Sequence, residues 1–269
     1  MKNSYEVHQS LGLDGLKPVR TNEFGDTAMT GDIEAEKSVI KTVQESGLSM
    51  SIVSEEHGEV GFSEQPVLLG ILDGIDGSAL YKTAHGVGRY GTMFGVFNGN
   101  DPLYSDYIFG GVMEHSTRRL FYSVKGKGCF ILDLSNNKTI FMGTSSVRSL
   151  DNKTRIYVDE ASEFNQSIFM SKLPGYNVMK NQRCSALHYT SLILGEADLV
   201  LESTRKGNLE IAVTYGMIRE AGGVAMSGNG EELANKKYRS FGQDKNFPIP
   251  VISAATLDLA KEAVQFFRG

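Results

Sequence analysis

VLLGILDGIDGSALY, running from Val67 to Tyr81, is the stretch whose reading decides the fold. Val67 to Leu72 is an apolar run with the length and composition of a buried strand. It stops at Asp73, and Asp76, Gly77 and Ser78 follow within a few positions. Two carboxylates this close repel each other and are costly to desolvate, so a positive partner is needed. A hard divalent cation such as magnesium suits them, because it prefers carboxylate oxygens and keeps positions open for water and phosphate. Gly77 lets the backbone approach a ligand closely, and Ser78-Ala79-Leu80 opens a short helix with free N–H groups for a phosphate. Metal and anion sites would then share the end of one strand, where open sheets place ligands. Asp-Gly pairs are also ordinary turn formers. Taken alone, DGIDG reads as readily as a tight loop between two strands.

The rest of the chain bears on that choice. Its 269 residues suffice for one large domain or two small ones with a sizeable core. The net charge of −5 argues against nucleic acid as a main partner. It leaves anionic substrates open, since a bound cation inverts the local field. Two cysteines, Cys129 and Cys184, make no disulfide framework and fit a reducing cytosol. The first residues lack the apolar core of a signal peptide, and no apolar run approaches membrane-spanning length. A cytoplasmic protein with no membrane partner is expected.

Residues 1–31 are polar with weak periodicity and read as a loose or partly ordered lead-in. Asp32 reads as an N-cap, with Ile33, Val39, Ile40 and Val43 on the buried side of a helix that Gly47 stops. A short strand, Ser51 to Ser54, runs into Glu55, Glu56 and an exposed-looking His57. Adjacent carboxylates there read as a solvated turn unless Asp73 and Asp76 lie beside them. Thr92 to Phe97, Tyr107 to Met113, Arg119 to Val124 and Gly128 to Leu132 read as strands of a mainly antiparallel sheet. Lys125-Gly126-Lys127-Gly128 reads as a hairpin in preference to a phosphate cradle.

A polar stretch from Ser135 to Asn152 reads as the seam between two lobes, about 1–145 and 146–269, of a single domain. Beyond it, strands at Thr154 to Val158, Asp198 to Glu202 and Val251 to Ala254 mix with helices at Ser185 to Leu194, Glu210 to Ala221 and Thr256 to Phe267. The third of these strands and the last helix close the chain. Leu209, Ala212, Val213, Gly216 and Met217 mark one buried side of the middle helix. Strict alternation is missing, so layered α and β is expected in place of a doubly wound sheet. Glu210, in a first helical turn, suits the helix dipole and equally suits a metal.

Three segments in register resemble the magnesium-dependent, lithium-sensitive phosphatase superfamily of inositol monophosphatase and fructose-1,6-bisphosphatase. Ser54-Glu55-Glu56 resembles its G-E-E segment, and Leu72 to Ser78 its D-P-[IL]-D-G-[ST]. Leu209-Glu210-Ile211-Ala212 through Glu220-Ala221-Gly222-Gly223 resembles W-D-x-A followed by E-A-G-G. The resemblance runs from about Asp26 to the C-terminus. It implies an α+β fold, a layered α/β/α/β/α sandwich of two lobes, and a phosphomonoesterase with two or three Mg2+ ions and lithium sensitivity. By the same resemblance Glu55, Asp73, the Ile75 carbonyl, Asp76 and Glu210 hold the metals. Asp32 and Ser78 help activate water, and the amides of Gly77, Ser78 and Ala79 hold phosphate. Glu202 and Ser185 would contact the substrate's hydroxyls, and a homodimer is suggested.

Gly74 stands where the family carries proline, which should loosen the loop, and Leu209 and Glu210 stand where inositol monophosphatases carry tryptophan and aspartate. The loop Ser203 to Asn208 carries Arg205 and Lys206, which read either as a solvated basic turn or as contacts to a second phosphate. The substrate is then a small sugar, inositol or nucleotide phosphate, with fructose 1,6-bisphosphate and 3′-phosphoadenosine 5′-phosphate as alternatives. From another class, the three departures allow a catalytically silent metal- or phosphate-binding regulator.

Overall fold

The computed structural model describes residues 1–22, 24–83, 87–160, 163–180, 183–244 and 246–269. In chain order its elements are α1 (Lys2–Leu11), β1 (Pro18–Thr21), β2 (Thr27–Met29), α2 (Thr30–Ser46), β3 (Met50–Ser54), β4 (Gly58–Gly61), β5 (Leu68–Asp76), α3 (Ser78–Thr83), β6 (Gly91–Asn98), β7 (Tyr107–Glu114), β8 (Arg119–Val124), β9 (Gly128–Asp133) and β10 (Lys138–Met142). They continue with β11 (Ile156–Val158), α4 (Glu163–Ile168), α5 (Ser185–Ile193), β12 (Leu199–Ser203), α6 (Leu209–Glu220), β13 (Val224–Ser227), β14 (Pro250–Ala254) and α7 (Leu257–Arg268).

Among the described residues, eight strands form one sheet in the order β10-β9-β8-β7-β6-β5-β3-β4, and four form a second in the order β11-β12-β14-β13. The larger sheet is antiparallel except where β3 runs parallel to β5. Side chains alternate across each strand. On β5, Leu69 and Ile71 join a core shared with α5 and α6, while Leu72 joins Val39 and Val43 of α2 on the opposite face. The smaller sheet divides in the same way. Val200 and Ala225 face the central helices, and Leu199, Leu201 and Ile252 face Leu259 and Ala263 of α7. The stack is therefore helix, sheet, helix, sheet, helix, as the resemblance implied.

Several local expectations change. Residues 1–31 are not loose, since α1 and the β1–β2 hairpin organise them. Ser4 and His8 of α1 are buried against the body of the protein. The seam between the lobes holds an edge strand, β10, paired to β9 from Lys138 to Met142. Helix α6 is buried on every side from Leu209 to Ile218, because it lies between the two sheets. A one-sided stripe was the wrong expectation for a helix with apolar neighbours all round.

Candidate active site

The site begins with a defect in β5. Asp73 pairs with Met93 and Asp76 with Gly91, so three steps along β5 match two along β6. In a regular strand, residues three apart point to opposite faces. The extra residue is a bulge, and it turns both carboxylates the same way. The strand thus runs on through Asp76 and does not end at Asp73. Gly74 sits within the bulge, where a Cβ would lie 2.3 Å from the Asp32 carbonyl oxygen. Thr92 Oγ1 donates to the Gly74 carbonyl at 2.8 Å. Glycine at 74 therefore lets α2 dock tightly, contrary to the expected loosening. At Gly77, with φ of 87°, a Cβ would meet Cys184 Sγ at 2.5 Å.

Neighbouring elements bring in the other acids. The parallel register of β3 on β5 matches Ser54 with Leu72, which carries Glu55 alongside Asp73. The Glu55 N–H donates to the Leu72 carbonyl at 3.1 Å. Glu55 is half-buried and Glu56 buried. Their turn is not solvated, because Asn22 Nδ2 donates to Glu56 Oε1 at 3.0 Å and the Glu56 N–H reaches Glu36 at 3.2 Å. His57 also leaves the exposed role, lying 2.7 Å from Glu36. Asp32 is the third residue of α2 and not its N-cap; its carboxylate reaches back to accept the Met29 N–H at 2.8 Å. Glu210 lies in the first turn of α6, where its charge is favoured by the helix dipole.

Carboxylate oxygens of Asp73, Asp76 and Glu210 all lie within 4.8 Å of one another, and all three residues are buried. They line a cavity of about 510 Å³ together with Asp32, Glu55, Ile75, Gly77, Ser78, Ala79 and Arg205. Burial, with Glu210 beside it, pushes Asp76 up to about 6. One Asp76 oxygen, Oδ2, is held by the Ala186 N–H at 2.5 Å and the Cys184 thiol at 3.2 Å. Burial pushes Asp32 up to about 8, and Glu55, Glu56 and Glu36 push the same way. An all-carboxylate, desolvated cluster of this kind fits a hard cation.

Glu202 and Ser185 line neither this cavity nor the one beside it. Glu202 is buried on β12, where the Tyr189 hydroxyl donates to it. Ser185 is buried at the start of α5. Arg205 does not belong to a solvated turn: its Nε donates to Asp159 at 3.1 Å and its Nη2 lies 3.5 Å from Glu210. The Lys206 side chain lies outside the described residues. Asp159, 1 % exposed just beyond β11, escaped sequence reasoning. A lone aspartate after an apolar strand carries no signal of its own, and its contact with Arg205 is what ties it to the site. The Lys125–Gly128 turn closes the β8–β9 hairpin as expected, and its backbone also cradles a carboxylate. The N–H groups of Gly126 and Gly128 each donate to Glu220 at 2.8 Å.

The profile of the inositol monophosphatase family matches residues 5–255. The chain belongs to that family. It is accordingly a phosphatase, a hydrolase of phosphoric monoesters. It is 28 % identical over 219 residues to a Methanocaldococcus jannaschii protein named fructose-1,6-bisphosphatase/inositol-1-monophosphatase, covering 80 % of this chain and 77 % of that one. A Methanothermobacter thermautotrophicus protein with the same name is 23 % identical over 245 residues, with coverages of 87 % and 81 %. Among solved structures, the extragenic suppressor protein SuhB of Bartonella henselae superposes with a TM-score of 0.77 at 17 % identity, covering 100 % and 94 % of the two chains. That likeness shows the fold. No helix among the described residues is long and apolar enough to cross a membrane.

Proposed function

We propose that this phosphatase is magnesium-dependent and cytoplasmic, and that it hydrolyses a small sugar, inositol or nucleotide phosphate by in-line attack of water. The observation that carries the reading is the convergence of Asp73, Asp76 and Glu210 on one cavity that Asp32 and Ser78 also line. Asp73, Asp76, Glu210, Glu55 and the Ile75 carbonyl would hold two or three Mg2+ ions. Bound magnesium would supply Lewis acidity and neutralise charge on the phosphoryl oxygens.

The chain's own groups do the remaining work. Asp32 takes the proton of the attacking water, and the Met29 N–H fixes the direction of its carboxylate. The Ser78 hydroxyl orients that water. The amides of Gly77, Ser78 and Ala79, all on the cavity wall, hold the phosphate oxygens. For Glu202 and Ser185 to meet the hydroxyls of the leaving alcohol, the Tyr189 hydroxyl must yield Glu202 and both buried residues must open to the cavity, which they do not line.

A bisphosphate substrate is the second reading, favoured by the double name that both curated relatives carry. Arg205 and Lys206 would meet its second phosphate. Phosphate release from a panel of monoesters and bisphosphates, with magnesium, with EDTA and with added lithium, tests the reading. Full turnover in EDTA ends it. Lys206→Ala is expected to slow the bisphosphate more than the monophosphate, and equal losses remove the second-phosphate contact. Sedimentation tests the homodimer.

A further inference from the structure

Arg205 occupies an unusual place for a fixed positive charge in a site built to attract cations. Its side chain comes off the loop between β12 and α6 and lines both the carboxylate cavity and a neighbouring one of about 390 Å³. Two acids hold it: Asp159, through a hydrogen bond of 3.1 Å, and Glu210, 3.5 Å away. Asp159 and Glu210 are 1 % and 5 % exposed. Buried carboxylates left uncompensated are strongly destabilising, and one guanidinium compensates both of these.

The same guanidinium opposes a metal. A divalent ion ligated by Asp73, Asp76 and Glu210 would sit within a few ångströms of Arg205, in surroundings that screen charge far less than water does. Glu210 cannot give its full charge to both. We propose that Arg205 is a resident counter-ion of Glu210, held in place by Asp159, which competes with the divalent cation and lowers its affinity. The proposal rests on the metal-dependent reading above. It assigns Asp159 and Arg205 a positioning role through Glu210, with Asp159 as the acid that takes up the guanidinium when Glu210 turns to a metal. Freed from Glu210, Arg205 would stay as the wall between the two cavities.

Titration of metal-stripped protein with Mn2+, followed by calorimetry and by the electron paramagnetic resonance of the free ion, tests this without any turnover. Arg205→Gln is expected to bind its tightest Mn2+ at least about tenfold more strongly than the wild type, about one logarithmic unit in Kd. Arg205→Lys, which keeps a cation there, should stay within about threefold of wild type. Asp159→Asn removes the acid that shares Arg205 with Glu210, so the guanidinium bears more fully on Glu210 and Mn2+ should bind more weakly. A purely structural role for Arg205 predicts loss of affinity in Arg205→Gln, so an unchanged or weakened Kd overturns the proposal. Asp159→Asn binding as tightly as wild type overturns it too, and that variant reports even if Arg205→Gln fails to fold without metal. Absence of Mn2+ uptake by the wild type would instead sink the metal-dependent reading itself.

Discussion

Helix α6 carries an acid near each end, and the two have opposite fates. At the C-terminal end Glu220 has every need met. It accepts from the N–H groups of Gly126 and Gly128 and from the Tyr107 hydroxyl at 2.6 Å. These donors outweigh burial and hold its pKa below the usual glutamate range. At the N-terminal end Glu210 faces Asp73 and Asp76, with Arg205 at 3.5 Å as its ion-pair partner. The helix dipole would favour the opposite distribution, since an anion is better placed at the N-terminus. Three well-aimed donors at Glu220 more than repay that small term. One helix thus has a satisfied carboxylate that ties the β8–β9 turn down and a crowded one that calls for a cation. Residue type and burial alone do not separate a structural acid from a functional one; the chemistry of the neighbours does.

Breaking the functional end should have the largest effect. Asp73→Asn is expected to lower kcat/KM by about 10³ or more, about 4 kcal/mol of lost transition-state stabilisation, with an unchanged far-UV circular dichroism spectrum. Wild-type turnover in that variant would remove Asp73 from the site. Glu210→Gln should cost about 10² in kcat/KM, because the remaining acids still converge. Its melting temperature in EDTA should change little, since the repulsion relieved at Asp73 and Asp76 offsets the ion pair lost with Arg205.

The structural end should behave in the converse way. Glu220→Gln places an amide where two N–H donors converge and should destabilise the protein by about 2 kcal/mol, with kcat nearly unchanged. Urea unfolding beside steady-state kinetics reads both. A kinetic defect larger than the stability defect would erase the contrast between the two helix ends.

Acid should separate the ends further, by a smaller amount. The contribution of Glu220, whose pKa is depressed in the fold, is present above the unfolded glutamate pKa and is lost as pH falls through its folded value. Asp32 and Glu202 shift the other way, each raised to about 8 chiefly by burial. Their favourable contribution is full below their unfolded values and lost as pH rises through about 8. Metal-free protein should therefore gain stability on going from pH 8 to about pH 6.5, below which His8, His115 and His188, each lowered by burial, oppose the gain. Melts in EDTA across that range check the sign, and a steady loss of stability from pH 8 downward contradicts it.

Much of this was legible beforehand. The apolar run on β5, the Asp73–Asp76 spacing and Glu55 after β3 are local patterns, and local patterns survive without knowledge of the fold. Glu210 was legible as a first-turn carboxylate, and the motif around it favoured a metal over the helix dipole alone. Other features had no local signature. The polar N-terminal residues form α1, which packs chiefly against α2 and buries Ser4 and His8, and weak periodicity does not announce that. Arg205 looked like any basic loop residue until Asp159, 46 positions earlier, came to face it.

Sequence alone settled the inventory: which acids stand next to which strands, which glycines interrupt them, and the family these spacings belong to. Only the tertiary structure decided their electrostatics. The β5 bulge turns Asp73 and Asp76 to one side, the sandwich carries Glu210 across to them, and Asp159 brings a guanidinium into the same cluster. Charge interactions depend on separation and burial in space, and spacing along the chain specifies neither once residues lie on different elements.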